Sequence, residues 1–438
     1  MKRLTNLWAF GLLLLISIFL LAACNGGNTA NDASGNKNEE EKTEKAEELE
    51  AEPVTLKFNY AWEEEFNEDI KGPVEEKFPH ITLEFVEMAL DEVETEIAQK
   101  NIPDIFYLSG GDQVPLLEEY ELTYDLDELI NGNNFDLSSI SQAHIYQARG
   151  WGDGALYYFP YVRRWEVLYY NKEIFDQFGV SYPKDGMTWG EVGDLASQVT
   201  GERNGVEYRG LDISAAGGML SELEVNHLDP ESHEPMYVKD ERFVQYLNMA
   251  EKLAAIPGVV PEEGDWGDFM NTQNLAMVPL FDVHIWLAGV EADTGLNWDM
   301  VTYPVWEDKP NGGPGAGAAG LAISETSEHK EEAFQVLEYL MSEEWQLMRS
   351  KKGFATILND PEIQGAFSSE VEGLQDKNMQ AVFALDIATG PKVTSPYEQE
   401  GQVLDVMEFI KEGNDVNTYL REAYDKSKAK VAEAQGSK

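Results

Sequence analysis

Cysteine is almost missing from this chain, in which Cys24 is the one cysteine among 438 residues. A disulfide needs two thiols, so no bridge can form within the chain. The folded part must therefore be held by an ordinary apolar core. About 385 residues follow the N-terminal region, which is long enough for two domains.

Cationic side chains are also scarce. The chain has 32 Lys and Arg against 81 Asp and Glu, for a formal net charge of −49. Such a surface repels nucleic acid and anionic lipid headgroups, which excludes both as partners. Two interpretations of the excess stay open: a site for a cationic substrate, or the solvated acidic coat of exported proteins from saline or alkaline surroundings, which we favour.

The motifs of several enzyme classes are absent from the sequence. It has no Gly-x-Ser-x-Gly elbow and no His-Glu-x-x-His helix, which leaves serine hydrolase and zinc protease chemistry without support. Asp125 and Asp127 lack the spacing and terminal glutamate of a calcium loop, and we expect no metal and no cofactor. His227 and His233 lie in a polar stretch and are interpreted as solvated. Glycoside hydrolysis needs only two carboxylates, so a polysaccharide hydrolase or lyase stays open.

Residues 315–320 spell the Gly-x-Gly-x-x-Gly of dinucleotide-binding loops. That motif must follow a strand and open a helix, so that pyrophosphate meets the helix N–H groups. Here a Pro- and Gly-rich segment precedes it, and 321–324 looks like a strand. We interpret 310–320 as a loop or a crossing between lobes.

The N-terminus has the pattern of an export signal. Lys2 and Arg3 precede an apolar and small-residue run over 7–23, which is at the short limit for a transmembrane anchor. Leu21-Ala22-Ala23-Cys24 resembles the lipobox of bacterial lipoproteins. The resemblance implies a signal peptide over 1–23 and lipidation of Cys24. Residues 24–53 carry nine acids and three lysines and almost no large apolar side chain, so we expect a disordered acidic tether.

Strand and helix patterns alternate in the body of the chain. Apolar residues at every second position predict strands over 54–60 and 81–85, and an apolar run predicts a buried strand over 105–108. Helical patterns over 65–78 and 91–100 separate them. This alternation favours α/β layers with a largely parallel sheet. Thr188 and Glu191 fit a capping box that starts a helix.

An ordered series of segments spans nearly the whole body. Its members are Asp104-Ile105-Phe106, Asp153-Gly154-Ala155-Leu156-Tyr157 with Pro160, Leu168-Tyr169-Tyr170-Asn171-Lys172-Glu173-Ile174-Phe175, Pro183, Thr188-Trp189-Gly190-Glu191, Asn274-Leu275-Ala276-Met277, Ile323-Ser324, His329-Lys330-Glu331-Glu332-Ala333 and Gly353. In order and spacing this series resembles the extracellular solute-binding proteins of family 1, which are the sugar-binding receptors of ABC importers.

The resemblance implies a type II periplasmic-binding-protein fold, in which two α/β lobes close by a hinge over a ligand held between them. Lobe 1 would comprise 54–162 with 314–358, and lobe 2 would comprise 163–313 with 359–438. It further implies a monomeric, non-enzymatic receptor, lipid-anchored on the outer face of a Gram-positive-type membrane. This receptor would capture a carbohydrate, expected to be an oligosaccharide, and deliver it to an ABC permease. A receptor of the same fold for a non-sugar solute, such as a peptide or polyamine, is the other alternative.

Candidate ligand residues follow from the chemistry of sugars and from where an open α/β sheet binds its ligands. Aromatic rings cover the apolar faces of a sugar, polar side chains pair with its hydroxyls, and loops after strands carry both. Trp62, Glu64 and Glu65 follow the first strand, and Asp112 follows the third. These four residues are therefore predicted to meet the ligand from lobe 1.

Further candidates lie in the crossing and in lobe 2. Arg163, Arg164 and Trp165 occupy the first crossing, where the arginines are expected to orient a hydroxyl or a carboxylate or to form a structural ion pair. Gly217 and Gly218 would allow close backbone approach.

Asp282 and Trp286 follow the strand that ends near Leu280, with His284 between them. The usual family pattern has Gly and Trp sooner after the Ala-Met pair, which leaves open which of the two enters the cleft. Trp266 and Tyr397 complete the predicted set of ligand residues.

Overall fold

A computed structural model describes residues 52–88, 93–152, 154–260, 265–315, 317–391 and 393–437 of the protein. The predicted signal peptide, the lipidation site at Cys24 and nearly all of the predicted tether lie outside these residues. Among the described helices, none combines the length and the apolar character that crossing a membrane requires.

The strands of the described residues fall into four sheets. In chain order they are β1 (Val54–Asn59), β2 (Ile81–Val86), β3 (Ile105–Leu108), β4 (Phe159–Arg163), β5 (Glu166–Asn171), β6 (Gly201–Arg203), β7 (Val206–Tyr208), β8 (Met277–Phe281), β9 (Trp298–Thr302), β10 (Gly312–Gly315), β11 (Ala318–Ile323) and β12 (Asp386–Ala388). The predicted strands at 54–60, 81–85 and 105–108 correspond to β1, β2 and β3.

Helices alternate with these strands and cover the sheets. They are α1 (Glu63–Glu65), α2 (Gly72–Lys77), α3 (Val93–Gln99), α4 (Val114–Glu119), α5 (Asp127–Asn133), α6 (Gln142–Trp151), α7 (Lys172–Phe178), α8 (Trp189–Gln198), α9 (Gly218–Ser221), α10 (Glu241–Ala254), α11 (His284–Thr294), α12 (Lys330–Leu340), α13 (Glu343–Lys351), α14 (Pro361–Gly365), α15 (Glu398–Gly401), α16 (Val406–Glu412) and α17 (Val416–Ser437). A π-helical segment, Phe66–Lys71, joins α1 to α2. The helix predicted over 65–78 is therefore present, with a change of pitch inside it.

Lobe 1 is built on a five-stranded sheet with the order β2-β1-β3-β11-β4. β1 pairs in parallel with β2 and β3, whereas β11 pairs antiparallel with β3 and β4. The expectation of a largely parallel sheet was thus wrong for half of this sheet. The reason is that β11 enters after the chain has returned from lobe 2, rather than through a local helical crossover.

Lobe 2 contains a three-stranded sheet with the order β8-β5-β9, in which all neighbours are antiparallel. Its core includes Trp189, Phe243 and Tyr303, and the C-terminal helix α17 packs on it through Tyr419 and Leu420. A separate core on the other face includes Trp298. Two sheets with separate cores give the chain the two-lobed α/β architecture that the sequence indicated.

The chain passes between the lobes at Arg163–Glu166 and again around β10. The predicted loop over 310–320 is largely extended, because β10 pairs with β12 and β11 joins the first sheet. A strand therefore follows Gly315, as predicted, and the nucleotide-binding interpretation fails structurally as well. Near 355–363 the cores interleave, since Ala355 belongs to a lobe 2 core and Ile357 to the lobe 1 core. The lobe boundaries stay a prediction.

Local signals in the sequence were accurate where they concerned helix starts. Thr188 accepts a hydrogen bond from the backbone N of Glu191, and Glu191 accepts one from the backbone N of Thr188. This is a complete capping box at the start of α8. Ser342 likewise accepts from the backbone N of Trp345 at the start of α13.

Candidate ligand-binding cleft

Three cavities follow one another along the junction of the lobes. The first, of about 220 Å³, has walls from Trp62 and Tyr107 of lobe 1 and from Ile285 of lobe 2. The second, of about 370 Å³, shares Arg164 and Asp282 with the first. The third, of about 590 Å³, shares Gly315 with the second. Shared walls make these cavities sections of one cleft.

The lobe 1 wall of the first cavity is aromatic. Tyr60 and Tyr107 are buried, but the Trp62 side chain is 51% exposed. The ring of Trp62 lies 6.0 Å from both tyrosine rings in edge-on geometry. These contacts hold the indole at its edge, so that a planar apolar surface remains for a ligand.

Glu65 lines the same cavity, and one oxygen of its carboxylate already accepts two hydrogen bonds from the protein. Its Oε1 accepts hydrogen bonds from the Tyr60 hydroxyl at 2.5 Å and from Arg349 Nη2 at 2.7 Å. Arg349 also pairs with buried Asp69, and Lys352 pairs with the other Asp69 oxygen. Burial raises the pKa of Tyr60 well above its usual value. Glu65 therefore forms part of a bonded floor through Oε1.

The lobe 2 rim carries aromatic and aliphatic side chains that protrude into solvent. Phe281, Ile285 and Trp286 are 47%, 43% and 56% exposed. Trp266 lies 6.0 Å from the Phe281 ring and 6.5 Å from the Trp286 ring, again edge-on. Phe281 and Ile285 line the cavities, whereas Trp266 and Trp286 stand beside them as an outer rim.

Arg164 lies at the centre of the cleft and connects both lobes. Its Nη1 donates to Asp282 Oδ2 at 3.1 Å, and its Nη2 donates to the Tyr107 hydroxyl at 3.3 Å. Tyr107 is the last but one residue of β3 in the lobe 1 sheet, whereas Asp282 directly follows β8 of lobe 2. The structure thus brings together three cleft residues, of which Arg164 and Asp282 were predicted and Tyr107 was not.

Arg163 points to the other side of the crossing. Its guanidinium lies 5.3 Å from the centroid of the Phe383 ring, and burial lowers the pKa of Arg163 to about 10. The expectation that this arginine meets a ligand beside Arg164 does not fit this position, because consecutive side chains of an extended segment point to opposite sides. Trp165 is buried against His284 and Phe367 and also lines the second cavity.

At the floor of the second cavity, the backbone of Gly218 lies close to Glu166 and Pro314. Gly217 lines the third cavity, and the backbone N of Gly218 donates to Glu166 Oε2 at 3.1 Å. A Cβ on Gly218 would come within 2.7 Å of that carboxylate and 2.8 Å of Pro314. The glycine is therefore required by the packing of both crossings against lobe 2.

Two acids lie behind this floor without a bonded cationic side chain among the described contacts. Burial raises the pKa of Glu166, although Tyr303 and Gly218 lower it. Glu222 is 1% exposed, and burial raises the pKa of Glu222 to about 10 against the smaller opposing influence of Trp189. Glu222 therefore holds a proton at neutral pH.

The third cavity joins α6 of lobe 1 to lobe 2. Tyr146 and Trp151 line it from lobe 1, and Glu224, Thr389 and Glu398 line it from lobe 2. Rings on one side and oxygen acceptors on the other are the combination that sugars require.

Besides Arg163, Gly218, Trp266 and Trp286, three more predicted residues lie outside the linings of these cavities. Glu64 is exposed on α1, and Asp112 is exposed at the end of β3 near Tyr158, whose pKa it helps to raise. The ring of Tyr397 lies 5.3 Å from the His233 ring. His233 in turn contacts the Ser395 hydroxyl, and His227 contacts Glu398, both at 3.0 Å. These histidines hold loops together, which differs from the solvated state expected for them.

Sequence reasoning missed Tyr107, Phe281 and Trp151. Tyr107 was predicted as the interior of a buried strand, and Phe281, directly after the strand that was predicted to end near Leu280, was passed over for Asp282 and Trp286. Each lies near the end of its strand in the structure, where side chains face the junction. Trp151 ends α6, and no local signal distinguished it from a core residue. The described residues contain no group of three His, Cys, Asp or Glu side chains that could hold a metal ion.

A model of the bacterial extracellular solute-binding protein family matches residues 64–365 of the chain. An arabinooligosaccharide-binding protein of Halalkalibacterium halodurans is 27% identical over 209 residues, which is 43% of this chain. The match spans 44% of that relative's length.

Solved structures share the fold over most of the chain. A sugar transporter protein from Rhizobium etli in an open conformation is 19% identical, with a TM-score of 0.70 over 86% of this chain and 99% of that one. A substrate-binding protein from Listeria monocytogenes in complex with cycloalternan is 18% identical, with a TM-score of 0.66 over 87% and 100%.

Proposed function

Because the chain belongs to the bacterial extracellular solute-binding proteins, we propose that it captures an oligosaccharide between its lobes and delivers it to an ABC permease. One observation carries this proposal. Exposed apolar rings lie on both sides of the cleft, Trp62 from lobe 1 and Phe281 and Trp286 from lobe 2, in a chain with a net charge of −49. Contact between an apolar ring and water is unfavourable, and a ligand that covers the ring removes this cost in free energy.

The dimensions of the cleft support a ligand of several rings. Its three sections each have room of their own, and aromatic side chains border the first at Trp62 and the last at Trp151. A monosaccharide would occupy only one section. The similar arabinooligosaccharide-binding protein and the cycloalternan complex are consistent with this length.

Calorimetric titration of the full chain with neutral oligosaccharides of two to six residues tests the proposal. We expect binding that strengthens with chain length until the cleft is filled, and small-angle scattering should show contraction as the lobes close. Mass spectrometry should recover the saccharide unchanged. A shortened product would instead favour the hydrolase or lyase alternative, and an absence of binding across the panel would contradict a saccharide receptor.

A polyamine is the second candidate, and the acids of the cleft favour it. Glu166 and Glu398 line the second and third sections without a bonded Lys or Arg among the described contacts, and carboxylates with aromatic rings also suit an extended cation. Spermidine in the same titration separates the two candidates. Binding of spermidine alone would replace the saccharide in this proposal.

We further propose that the protein is a monomer tethered through a lipid on Cys24, outside the cell and beside its permease. The lobes would turn about the crossings at Arg163–Glu166 and near Gly315. A Cys24→Ala variant should then fail to incorporate the labelled fatty acid that the parent protein incorporates, and light scattering of the chain expressed without residues 1–24 should give the mass of one chain.

A further inference from the structure

Charges around the cleft are distributed very unequally. Among the described residues that line its three sections, Arg164 is the one arginine or lysine side chain. Five carboxyl groups line the same sections, those of Glu65, Glu166, Glu224, Asp282 and Glu398. A ligand that carries a carboxylate would therefore depend on Arg164 for electrostatic compensation.

The charge of Arg164 is already compensated. Its Nη1 donates to Asp282 Oδ2 at 3.1 Å and its Nη2 donates to the Tyr107 hydroxyl at 3.3 Å, which uses two of the five guanidinium N–H groups. The Asp282 side chain is 19% exposed and that of Arg164 is 38% exposed, so the pair is partly shielded from water. A sugar carboxylate would have to share Arg164 with Asp282 or displace it, and either arrangement places two negative charges beside one guanidinium.

We propose that Asp282 is the residue that restricts this cleft to uncharged saccharides, by neutralising the guanidinium that a uronic acid would need. The inference rests on the proposed function and names its ligand class more narrowly. Specificity of this kind comes from the penalty imposed on the wrong ligand, not from an added contact to the right one. Trp62 and Phe281 would stack on charged and uncharged sugars alike, so the rings alone do not discriminate.

The test is an Asp282→Asn variant of the full chain, which keeps the shape of the side chain and removes its charge. The probes are trigalacturonate with its methyl-esterified form, and aldotetraouronic acid with xylotetraose. We expect the parent protein to prefer the uncharged member of a pair. The variant should bind at least one uronate at least tenfold more tightly than the parent does.

Two controls identify the cause of any gain. Glu64→Gln removes one negative charge from an exposed residue outside the cavities, and it should produce no gain. In the double variant Arg164→Gln with Asp282→Asn, the gain should disappear, because the free guanidinium is gone.

The inference is overturned if the parent binds uronates as tightly as their uncharged partners. It is equally overturned if Asp282→Asn gains no more than Glu64→Gln, or if the gain survives in the double variant. Failure of the proposed function has a different signature, because the parent would then bind no neutral saccharide while the uronate gain of Asp282→Asn could still be measured.

Discussion

The two walls of the cleft differ in how they treat buried charge and exposed apolar surface. In lobe 1, Glu65 and Asp69 lie under the first cavity and are paired with Arg349 and Lys352, so every charge of that floor is compensated. In lobe 2, Phe281 and Trp286 project into solvent, and Glu222 is buried with a proton in place of a cation. The difference teaches that the charged floor of lobe 1 contributes stability, whereas the exposed rings, Trp62 included, are left for the ligand.

The largest expected effect comes from breaking the lobe 1 floor. Arg349 is 1% exposed and bonds to two carboxylates, so Arg349→Ala leaves buried charges without a partner. We expect a loss of about 3–5 kcal/mol in the free energy of unfolding, measured by denaturant titration. The matched control is Lys77→Ala, which removes an exposed ion pair with Glu344 and should leave stability unchanged. Equal effects for both variants would mean that the floor is not a special part of lobe 1.

The second effect concerns the free energy of ligand binding. Trp62→Ala and Trp286→Ala should each weaken binding of a neutral oligosaccharide by about 1–2 kcal/mol, roughly tenfold, because a stacking surface is lost. Their unfolding temperatures should stay close to that of the parent protein, since both side chains are about half exposed. Tyr182→Ala, which removes an exposed ring outside the cavities, is the control and should keep full affinity. A loss of affinity only where stability also falls would remove the distinction between the walls.

The third effect is a pH dependence that belongs to lobe 2. The pKa of Glu222 is raised to about 10 in the folded protein, so the folded state holds a proton that the unfolded state releases above its ordinary pKa of about 4.3. Stability should therefore fall as pH rises from about 5 to 9, by at most about 1.4 kcal/mol per pH unit from this group. Glu222→Gln should flatten that slope, as measured by denaturant titration across the range. An unchanged slope in this variant would show that Glu222 is ionised in the folded state.

The smallest effect is expected at Glu64. This carboxylate is exposed and lies outside the cavities although it is two residues from Trp62. Glu64→Gln should change neutral-saccharide affinity by less than about twofold, within the range of surface substitutions. A larger loss in calorimetric titration would return Glu64 to the ligand site that the sequence predicted.

Local patterns explain what the sequence could predict about the fold. The alternation in 54–60 and the capping residues Thr188 and Glu191 act within a few residues, so β1 and the start of α8 could be predicted from the sequence. The antiparallel entry of β11 was not, because its direction is set by the return of the chain from lobe 2. Glycine-rich β10 also lacked any local strand signal, since its pairing partner β12 is more than 70 residues away in the chain.

The candidate site divides in the same way. The positions of Trp62 and Asp282 after strands were sufficient to place them at the junction of the lobes. The ion pair of Glu65 could not be predicted, because its partner Arg349 is 284 residues away in the chain. Arg163 and Arg164 look equivalent in the sequence, and only the direction of the crossing separates them.

That last pair has an evolutionary consequence. In the crossing, Arg164 faces the cleft and Arg163 faces Phe383, and the two directions alternate with each residue of extended chain. Arg163 is the last residue of β4, and its direction is set by pairing with Ala318. Gain or loss of one residue directly after it would therefore turn Arg164 away from the cleft, whereas a change of two residues would preserve its direction. Lineages descended from this protein should therefore vary the length of this segment, if at all, in even steps.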